Sequence, residues 1–438
     1  PNFREQWLLE PQETLVDYGI KLNSAETSPL WQSNFAEKLG REHLITKRWQ
    51  HWQKLARETK PDSVLKNLIA SPKNLHFKAW RERQIARANS QFQKSVRENV
   101  THHLPLTFEL SKGCSIGCSF CAISAPRLDD IFFYSQENAK LWSDVIKLLK
   151  EILGAAAGGG FCYWATDPLD NPDYEQFCSD FHRILGIFPQ TTTAQPLKNP
   201  DRTRALLKLS RQKGCHHNRF SILSLKMLDR VCEEFSAEEL AFVQLALQNK
   251  EANGIKARAG RAREKSLDQG TPDSELPEQG TIACVTGFLF NMVDRSVKLI
   301  SPCNASDRWP DGYIIYDQGT FTNAEDLKIL LERMIEDNMP LTVRPNQLMS
   351  FRPDLNYESL SDGFRLSNRI KTYSFRHEPY IKELGDLIAQ GNKTAREIAA
   401  ILESDGTPLA LTFYHLNLIF EKGIVDEEPK LTKVLVKS

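Results

Sequence analysis

The chain has 438 residues, of which 41% are hydrophobic and 26% charged, a composition typical of a large soluble enzyme with two or three domains. Lysine and arginine together total 56 residues, as do aspartate and glutamate, so the net charge gives no general attraction to nucleic acid or to an anionic membrane. No apolar run approaches the roughly 20 residues that cross a bilayer, and the first residues do not resemble a signal peptide, so we expect neither a membrane nor a nucleic-acid partner.

Residues 1–100 are predicted to form an N-terminal helical region. The segment Trp80–Glu98 carries many charges and few strand-forming residues, which favours a helix. Two interpretations of the aromatic content stay open: a helical domain packed by its tryptophans, or a docking surface for a peptide, since aromatic anchors dominate such interfaces. The region holds five of the eight tryptophans of the chain, Trp7, Trp31, Trp49, Trp52 and Trp80.

Three cysteines follow the apolar stretch Leu104–Leu110 within one short run, Cys114-Ser-Ile-Gly-Cys118-Ser-Phe-Cys121. Iron–sulfur clusters normally take four thiolates, so a loop that offers three predicts a [4Fe–4S] cluster with one iron open to a small molecule. Gly117 is expected to relieve backbone crowding between the first two ligands. A structural zinc site completed by His102 or His103 is the alternative, although zinc sites favour two separated C-x2-C pairs or four-ligand Cys/His sets.

From about residue 101 to 250 the sequence alternates between strand and helix patterns. One helical pattern stops at Gly154, and Ser236-x-x-Glu239 is a capping box that is expected to open a helix through residue 248. Such alternation predicts parallel strands with right-handed crossovers, in a barrel or doubly wound sheet whose strand ends hold the active site. The predicted strands cover 106–110, 161–165, 191–194 and 219–224, and the predicted helices cover 138–153, 173–185, 200–212 and 237–248.

Residues 249–280 are predicted to form a charged linker or mobile loop, because they contain glycine, proline and dense charge with little apolar periodicity. Their basic cluster is interpreted as part of a solvated loop, with contact to an acidic peptide as the alternative. Strands are predicted at 281–290, 296–300 and 313–316, the last preceded by an Asp311-Gly312 turn. The basic cluster consists of Lys256, Arg258, Arg261, Arg263 and Lys265.

Residues 319–438 are predicted to form a separate C-terminal domain, after a catalytic domain spanning 101–318. Three helices are expected at 380–389, 395–402 and 409–421, followed by small strands at 424–426 and 431–436, which is a winged-helix-like order. The third helix contains no Lys or Arg, so peptide docking or plain packing is favoured over DNA binding. Capping boxes are predicted at Thr322-x-x-Glu325 and Thr394-x-x-Glu397.

The cysteine run resembles the signature of radical S-adenosylmethionine (SAM) enzymes, including the aromatic residue at Phe120. More widely, the chain resembles the PoyD-like radical SAM epimerases that mature proteusin-type ribosomally made peptides. The resemblance rests on three segments, Phe108–Ala125, Asp167–Pro172 and Leu299–Tyr313. It implies a partial (β/α)6 barrel, one [4Fe–4S] cluster, SAM, a precursor peptide with a leader sequence, and an electron donor such as a flavodoxin or ferredoxin.

The resemblance also implies which residues contact SAM. Asp167 stands in the place of the Glu of a Gly-Gly-Glu-type motif and would accept the SAM ammonium, although the two glycines are absent and a turn capped by aspartates is the alternative. Arg219 would pair with the SAM carboxylate and Ser221 with a ribose hydroxyl, and strand alternation directs both side chains to one face. Phe120 and Thr166 complete the implied SAM contacts.

The implied reaction converts L-residues to D-residues within a peptide. A 5′-deoxyadenosyl radical from reductive cleavage of SAM would remove a Cα hydrogen, and a hydrogen atom returned from the opposite face would invert the centre. A cysteine thiol is the natural donor because its S–H bond is weak. Cys303, in the Ser-Pro-Cys turn, is the first candidate and Cys284 the second, with a buried structural thiol as the alternative role for Cys303.

The nine cysteines are odd in number and unevenly spaced, which argues against a disulfide scaffold and predicts a reducing, cytoplasmic location. Cys162, Cys178, Cys215 and Cys232 show no C-x2-C grouping, so a single cluster is predicted. Two other functions stay open: a radical SAM enzyme that forms a thioether, a C–C bond or a methylated residue, and a non-catalytic metal- or nucleic-acid-binding module.

Overall fold

The computed structural model of the protein describes residues 6, 10–17, 19, 70–92, 103–215, 217–240, 243–248, 257–268 and 280–430. The chain divides into two compact units, Pro1–Asp62 and Ser63–Ser438, and the first contains helix α1 (Pro11–Asp17). None of the helices in the described ranges combines the length and the apolar character that a membrane crossing requires. Several expectations fall outside the described residues: those for Trp7, Trp31, Trp49, Trp52, His102, Lys256 and the strand at 431–436.

The first half of the second unit alternates strands with helices, as predicted. Its helices are α2 (Leu75–Gln91), α3 (Gln136–Leu153), α4 (Tyr174–Leu185), α5 (Pro200–Gln212), α6 (Leu225–Glu234), α7 (Ala237–Leu240) and α8 (Gly260–Asp268). Its strands are β1 (Leu104–Glu109), β2 (Ser111–Lys112), β3 (Asp130–Ile131), β4 (Thr192–Thr193), β5 (Asn218–Ile222), β6 (Val243–Leu247), β7 (Val285–Asn291), β8 (Ser296–Pro302) and β9 (Tyr313–Thr320).

The larger strands form two sheets. β1 pairs in parallel with β7, and β7, β8 and β9 continue that sheet in antiparallel order. β4, β5 and β6 form a second sheet that is parallel throughout, and a single parallel bridge joins Thr107 of β1 to Phe161. The α/β class is therefore confirmed. The partial six-stranded barrel is not formed by the described pairings, because β7 lies beside β1 instead of beside β6.

The strand predicted at 161–165 is reduced to the bridge at Phe161. The amide of Phe108 donates to the carbonyl of Phe161 (3.0 Å), whereas the carbonyl of Tyr163 accepts from the hydroxyl of Thr107 (2.8 Å). The hydroxyl of Thr107 thus occupies the carbonyl of Tyr163, which would otherwise accept the next backbone hydrogen bond of the β-ladder. The segment still lies against β1, but a side-chain bond replaces the ladder after its first residue.

The prediction of a helix at 237–248 was wrong beyond the first helical turn. The capping box forms, since the amide of Ser236 donates to Oε2 of Glu239 (2.8 Å), but the helix ends at Leu240 and the chain continues as β6. β6 pairs in parallel with β5 along five residues, from Asn218–Val243 to Ile222–Leu247. The alternating Val-Gln-Leu-Ala-Leu pattern suits a strand, and the ladder bonds to β5 decide the outcome over the local helix signal.

The β1–β7–β8–β9 sheet has two different faces, because successive side chains of a strand point to opposite sides. Phe108 and Phe290 belong to the large core that the helices cover. Leu289 and Ile300 belong to a smaller cluster on the opposite face, together with Ile123, which follows the last cysteine of the Cys114–Cys121 loop. We call this opposite side the inner face; it is the side of the sheet that meets the cysteine loop.

Helix α2 begins at Leu75, where the side chain of Asn74 accepts from the amide of Phe77 (3.0 Å). Phe77 and Trp80 are fully buried in the large core, next to strands of the first sheet. The predicted helix is confirmed in part: it starts at Leu75 and ends at Gln91, earlier than expected at both ends, and it lies in the compact unit Ser63–Ser438.

The C-terminal part contains the three expected helices, preceded by a three-stranded antiparallel sheet over residues 356–376 that was not predicted from the sequence. The capping box at Thr394 is present, whereas the helix predicted to be capped by Thr322 is capped by Asn323. The strand predicted at 424–426 is reduced to a bridge between Val425 and Phe351. The elements are α9 (Ala324–Asn338), β10 (Leu348–Met349), β11 (Asn356–Leu360), β12 (Gly363–Ser367), β13 (Thr372–Arg376), α10 (Ile381–Ala389), β14 (Lys393–Thr394), α11 (Ala395–Ser404) and α12 (Leu409–Glu421).

The contact between β1 and β7 leads to a stability prediction. A Cβ atom at Gly287 would overlap the carbonyl oxygen of Pro105, so Gly287→Ala should push the two strands apart and lower the free energy of unfolding by about 3 kcal/mol. Gly186→Ala is the matched control, because that glycine has φ 79° but no atom within 4 Å of a new Cβ, and should cost about 1 kcal/mol. Urea unfolding midpoints measure both; equal effects would show that the contact with Pro105 does not limit the strand spacing.

Candidate functional site at the cysteine loop

The cysteine loop, Cys114–Cys121, lies at the carboxyl end of β1, where the sequence placed it. β2 pairs with β3, and the amide of Cys114 donates to the carbonyl of Pro126 (2.9 Å), so the two ends of the loop region are held together. Inside the loop the amide of Cys121 donates to the carbonyl of Cys118 (3.3 Å). All three cysteines are partly buried and carry free thiols.

Gly117 has a different role from the one expected. Its φ is 63°, and no atom outside its chain neighbours lies within 4 Å of where a Cβ would be. The residue therefore provides a left-handed turn between Cys114 and Cys118, a conformation that glycine adopts without strain, and does not relieve crowding.

The donor set of the loop fits an iron–sulfur cluster better than zinc. Three thiol sulfurs come from one loop and no histidine stands in it, which is the ligand chemistry of a cluster with one iron free of protein ligands. Burial raises the pKa of Cys114 to about 11 and also raises that of Cys118, although the positive charge of Arg261 opposes the rise at Cys118. No three His, Cys, Asp or Glu side chains in the described ranges are already grouped as a metal site, so the loop supplies donors without a preformed ligand geometry.

The zinc alternative loses one of its two proposed fourth ligands, His103. His103 is buried at the start of β1, where its Nδ1 lies 2.8 Å from the hydroxyl of Thr286. The six residues of β1 separate it from the loop, a distance of about 20 Å along an extended strand. His103 therefore cannot join the cysteine thiols around one metal ion.

Asp170 and Asn171, which sequence reasoning did not select, hold the loop in place. Asp170 is buried and accepts from the amide (2.8 Å) and the hydroxyl (2.5 Å) of Ser115, and also from Nε2 of Gln195 (2.7 Å). The amide group of Asn171 donates to the carbonyls of Leu110 and Phe132, each at 2.8 Å. The Asp167–Pro172 segment thus bonds to both flanks of the cysteine loop, and its concentration of Asp, Asn and Pro was the signal in the sequence.

Asp167 caps a turn, which is the alternative role predicted for it from the sequence. Its carboxylate is buried and accepts from the hydroxyl of Thr193 (2.8 Å) and the amides of Ala194 (2.7 Å) and Leu169 (3.0 Å). Because these protein donors already surround the carboxylate, it has little capacity left for an ammonium group. The neighbouring Thr166 is partly buried and its hydroxyl contacts only the carbonyl of Asp167 (3.4 Å) among the described atoms.

Arg219 and Ser221 share one face of β5, as predicted, and both are partly buried. In the parallel pairing Thr192 lies opposite Arg219, and the hydroxyl of Thr192 is 2.8 Å from that of Tyr163, which belongs to the inner-face cluster. Arg219 therefore points towards the inner face. Its Nε is buried and makes no hydrogen bond within the described part of the chain. Phe120, the aromatic residue of the motif, is 41% exposed.

The predicted charged linker contains helix α8, which packs on the cysteine loop. The amide of Arg261 donates to the carbonyl of Cys121 (3.0 Å), and its Nη2 donates to the carbonyl of Ala125 (2.8 Å). A Cβ at Gly260 would lie 2.7 Å from the carbonyl oxygen of Cys121, so the approach is close. Arg263 is buried and pairs with Asp307 (2.8 Å). The solvated-loop interpretation was therefore wrong for these residues.

The two candidate donor thiols lie on different faces of the first sheet. Cys284 packs in the inner-face cluster with Ile123 and Tyr163. Cys303 is 4% exposed and packs in the large core, and the nearby guanidinium of Arg87 bonds to the carbonyl of Pro302. Burial raises the pKa of both thiols to about 12, so both carry their proton at neutral pH. The two thiols therefore differ only in position, and the inner-face position favours Cys284, the second candidate, as the hydrogen donor.

The chain is 36% identical over 434 residues to the uncharacterized protein y4wI of Sinorhizobium fredii (strain NBRC 101917 / NGR234), a match that covers 95% of this chain and 82% of the relative. The chain belongs to the y4wI family. Residues 349–423 match the y4wI C-terminal domain, a range that contains β11–β13 and α10–α12. Among solved structures, BtrN in complex with AdoMet and 2-DOIA matches at 13% identity and a TM-score of 0.31, over 44% of this chain and 72% of that chain. A TM-score this low supports no conclusion about this family's chemistry.

The contacts of Arg261 predict a local effect on the loop. Arg261→Gln should speed amide hydrogen exchange at residues 121–125 about fivefold, because it removes a hydrogen bond to Ala125 of about 1 kcal/mol. Lys265→Gln, which removes an exposed cation from the same helix, should leave these amides unchanged. Mass-spectrometric hydrogen exchange measures both variants, and equal exchange in the two would mean that α8 does not restrain the loop.

Proposed function

We propose that this protein is a radical SAM peptide epimerase that converts L-residues to D-residues in a ribosomally made precursor peptide. The observation that carries the proposal is the position of the three-thiol loop at the carboxyl end of β1, with the thiol of Cys284 packed on the same inner face as Ile123. Cys114, Cys118 and Cys121 would hold one [4Fe–4S] cluster, and the fourth iron would be left for SAM. When bound, the cluster and SAM would supply the carbon radical that removes a Cα hydrogen.

The residues of the chain would then perform the second half of the inversion. The hydrogen of the Cys284 thiol would move to the Cα radical from the face opposite to the one that lost its hydrogen, breaking the S–H bond and forming the new Cα–H bond. The sulfur radical left on Cys284 would take one electron from a reductant of the flavodoxin or ferredoxin class and one proton from solvent. The raised pKa of Cys284 suits this role, because only the protonated thiol has a hydrogen atom to donate.

Arg219 and Ser221 remain the proposed contacts for the SAM carboxylate and ribose. Arg219 faces the inner side, and its guanidinium forms no ion pair within the described residues, so it is available to a carboxylate. Phe120 and Thr166 remain proposed contacts without a geometric argument of their own. Cys303 becomes the second choice as the hydrogen donor.

The proposal is tested by anaerobic reconstitution followed by turnover in D2O. We expect about four irons and four sulfides per chain and release of 5′-deoxyadenosine on reduction with SAM. With a precursor peptide encoded beside the gene, each inverted residue should carry one solvent-derived deuterium at Cα. A changed peptide connectivity would point instead to a thioether-, C–C-bond- or methyl-forming radical SAM enzyme, and a product without solvent-derived deuterium at Cα would overturn the epimerase proposal. One zinc per chain and no 5′-deoxyadenosine would leave a non-catalytic metal module.

Replacement of the loop cysteines should abolish every step together. Alanine at Cys114, Cys118 or Cys121 removes an iron ligand, so iron content, 5′-deoxyadenosine and D-residues should all fall to background. Cys232→Ala is the matched control because Cys232 is exposed on α6, away from both core clusters, and its iron content should equal that of the unaltered protein. Full iron loading in any of the three loop variants would remove that residue from the ligand set.

Serine variants should separate radical formation from hydrogen return. Cys284→Ser keeps the size and polarity of the side chain but has a much stronger O–H bond, so 5′-deoxyadenosine should form while D-residues do not. Cys303→Ser should retain D-residue formation, because Cys303 lies on the helix-covered face. Chiral amino-acid analysis of the hydrolysed peptide measures both. D-residues at the unaltered level from Cys284→Ser, with their loss in Cys303→Ser, would restore Cys303 as the donor.

A further inference from the structure

Glu109 is the last residue of β1 and comes five residues before the first cysteine. Phe108 points into the large core, so alternation directs Glu109 to the inner face. Its carboxylate accepts from the amide of Ala165 (2.9 Å) at Oε1 and from Nδ2 of Asn291 (2.9 Å) at Oε2. Ala165 packs in the inner-face cluster with Ile123 and Cys284, so the carboxylate lies on the side of the sheet that meets the cysteine loop.

This carboxylate has unused hydrogen-bonding capacity. Each carboxylate oxygen can accept about two hydrogen bonds, and each oxygen of Glu109 accepts one from the described atoms. No Lys, Arg or His nitrogen in the described ranges forms an ion pair with it, and Lys298 acts on it only at a distance. Burial raises the pKa of Glu109, and a ligand cation beside this uncompensated carboxyl would stabilise its charged form.

A second unpaired ion lies on the same inner side. Arg219 lies on this side because it is paired with Thr192, whose hydroxyl contacts that of Tyr163. Within the described residues its guanidinium has no ion-pair partner and its Nε–H makes no hydrogen bond. One unpaired carboxylate and one unpaired guanidinium complement a ligand that carries both an ammonium and a carboxylate. That is the charge pattern of an α-amino acid group.

We propose that Glu109 binds the ammonium of an α-amino acid group held on the inner face beside the cysteine loop, and that under the proposed function this group is the amino acid portion of SAM. The assignment rests on the proposed function for the identity of the ligand. It moves the ammonium contact from Asp167, whose carboxylate is filled by Thr193, Ala194 and Leu169, to a carboxylate that is not filled.

The test compares binding of SAM and of 5′-methylthioadenosine, which lacks the amino acid portion, to the reconstituted protein by anaerobic calorimetry. Glu109→Gln keeps an oxygen for the Ala165 amide but loses the charge, so SAM should bind about tenfold more weakly or worse, while 5′-methylthioadenosine should be unaffected. Asp294→Asn is the matched control: Asp294 is an exposed carboxylate near Glu109 that pairs with Lys112, and its loss should change neither affinity.

The outcomes separate this inference from the function on which it rests. Unaltered SAM affinity in Glu109→Gln, or an equal loss for both ligands, would overturn the role of Glu109 and leave the proposed function standing. No SAM binding by the unaltered, cluster-loaded protein would overturn both. Iron content and thermal midpoint report whether Glu109→Gln folds. If it does not, Glu109→Asp keeps the charge but withdraws it by one methylene, and an intermediate SAM affinity would support the same contact.

Discussion

The hydrogen bonds between Asp170 and Ser115 are the constraint on which the arrangement of the site depends. Ser115 stands inside the cysteine loop, and Asp170 binds both its amide and its hydroxyl while also accepting from Gln195, just beyond β4. One buried carboxylate therefore connects the end of β1 with the end of β4. Asn171 adds bonds to the carbonyls on the two flanks of the loop, so the loop cannot shift without breaking several buried hydrogen bonds.

The charged groups around the Asp170–Ser115 contact differ in where they lie and in what already bonds to them. Arg261 approaches the loop from α8 and bonds to its backbone, which leaves a positive charge next to thiols that would become negative on binding the proposed cluster. Glu109 and Arg219 lie on the inner side without ion-pair partners among the described residues. The other carboxylates of the region, Asp167 and Asp170, are filled by protein donors. Asp167 and Asp170 thus differ from Glu109 in the number of protein donors that already bond to their carboxylates.

The two faces of the β1–β7–β8–β9 sheet explain why Cys284 and Cys303, whose pKa values are raised alike, differ as candidate hydrogen donors. Both thiols are kept protonated by desolvation. Cys284 is packed with residues that meet the cysteine loop, whereas Cys303 is packed under α2 beside Arg87, where its surroundings are those of a structural core residue. A substrate radical formed near the loop would reach the first thiol without crossing the sheet.

The sequence by itself determined the elements with strong local signals and is the source of the proposed chemistry. The spacing of Cys114, Cys118 and Cys121 predicts the iron ligands, and helices that end at a glycine, such as α3 at Gly154, were located to within two residues, because capping and helical periodicity are local properties. Alternation along β5 also placed Arg219 and Ser221 on one face.

Only the tertiary structure decided what depends on partners distant in the chain. The pairing of β6 with β5 overrode a capping box that is itself correctly formed, and the packing of α8 on the loop turned a charged segment into part of the site. Contacts between residues tens to hundreds of positions apart decide which carboxylates already accept protein hydrogen bonds. They also decide on which face of a sheet a cysteine lies. Composition and spacing describe a residue's neighbours along the chain, and the functional distinctions here are set by its neighbours in space.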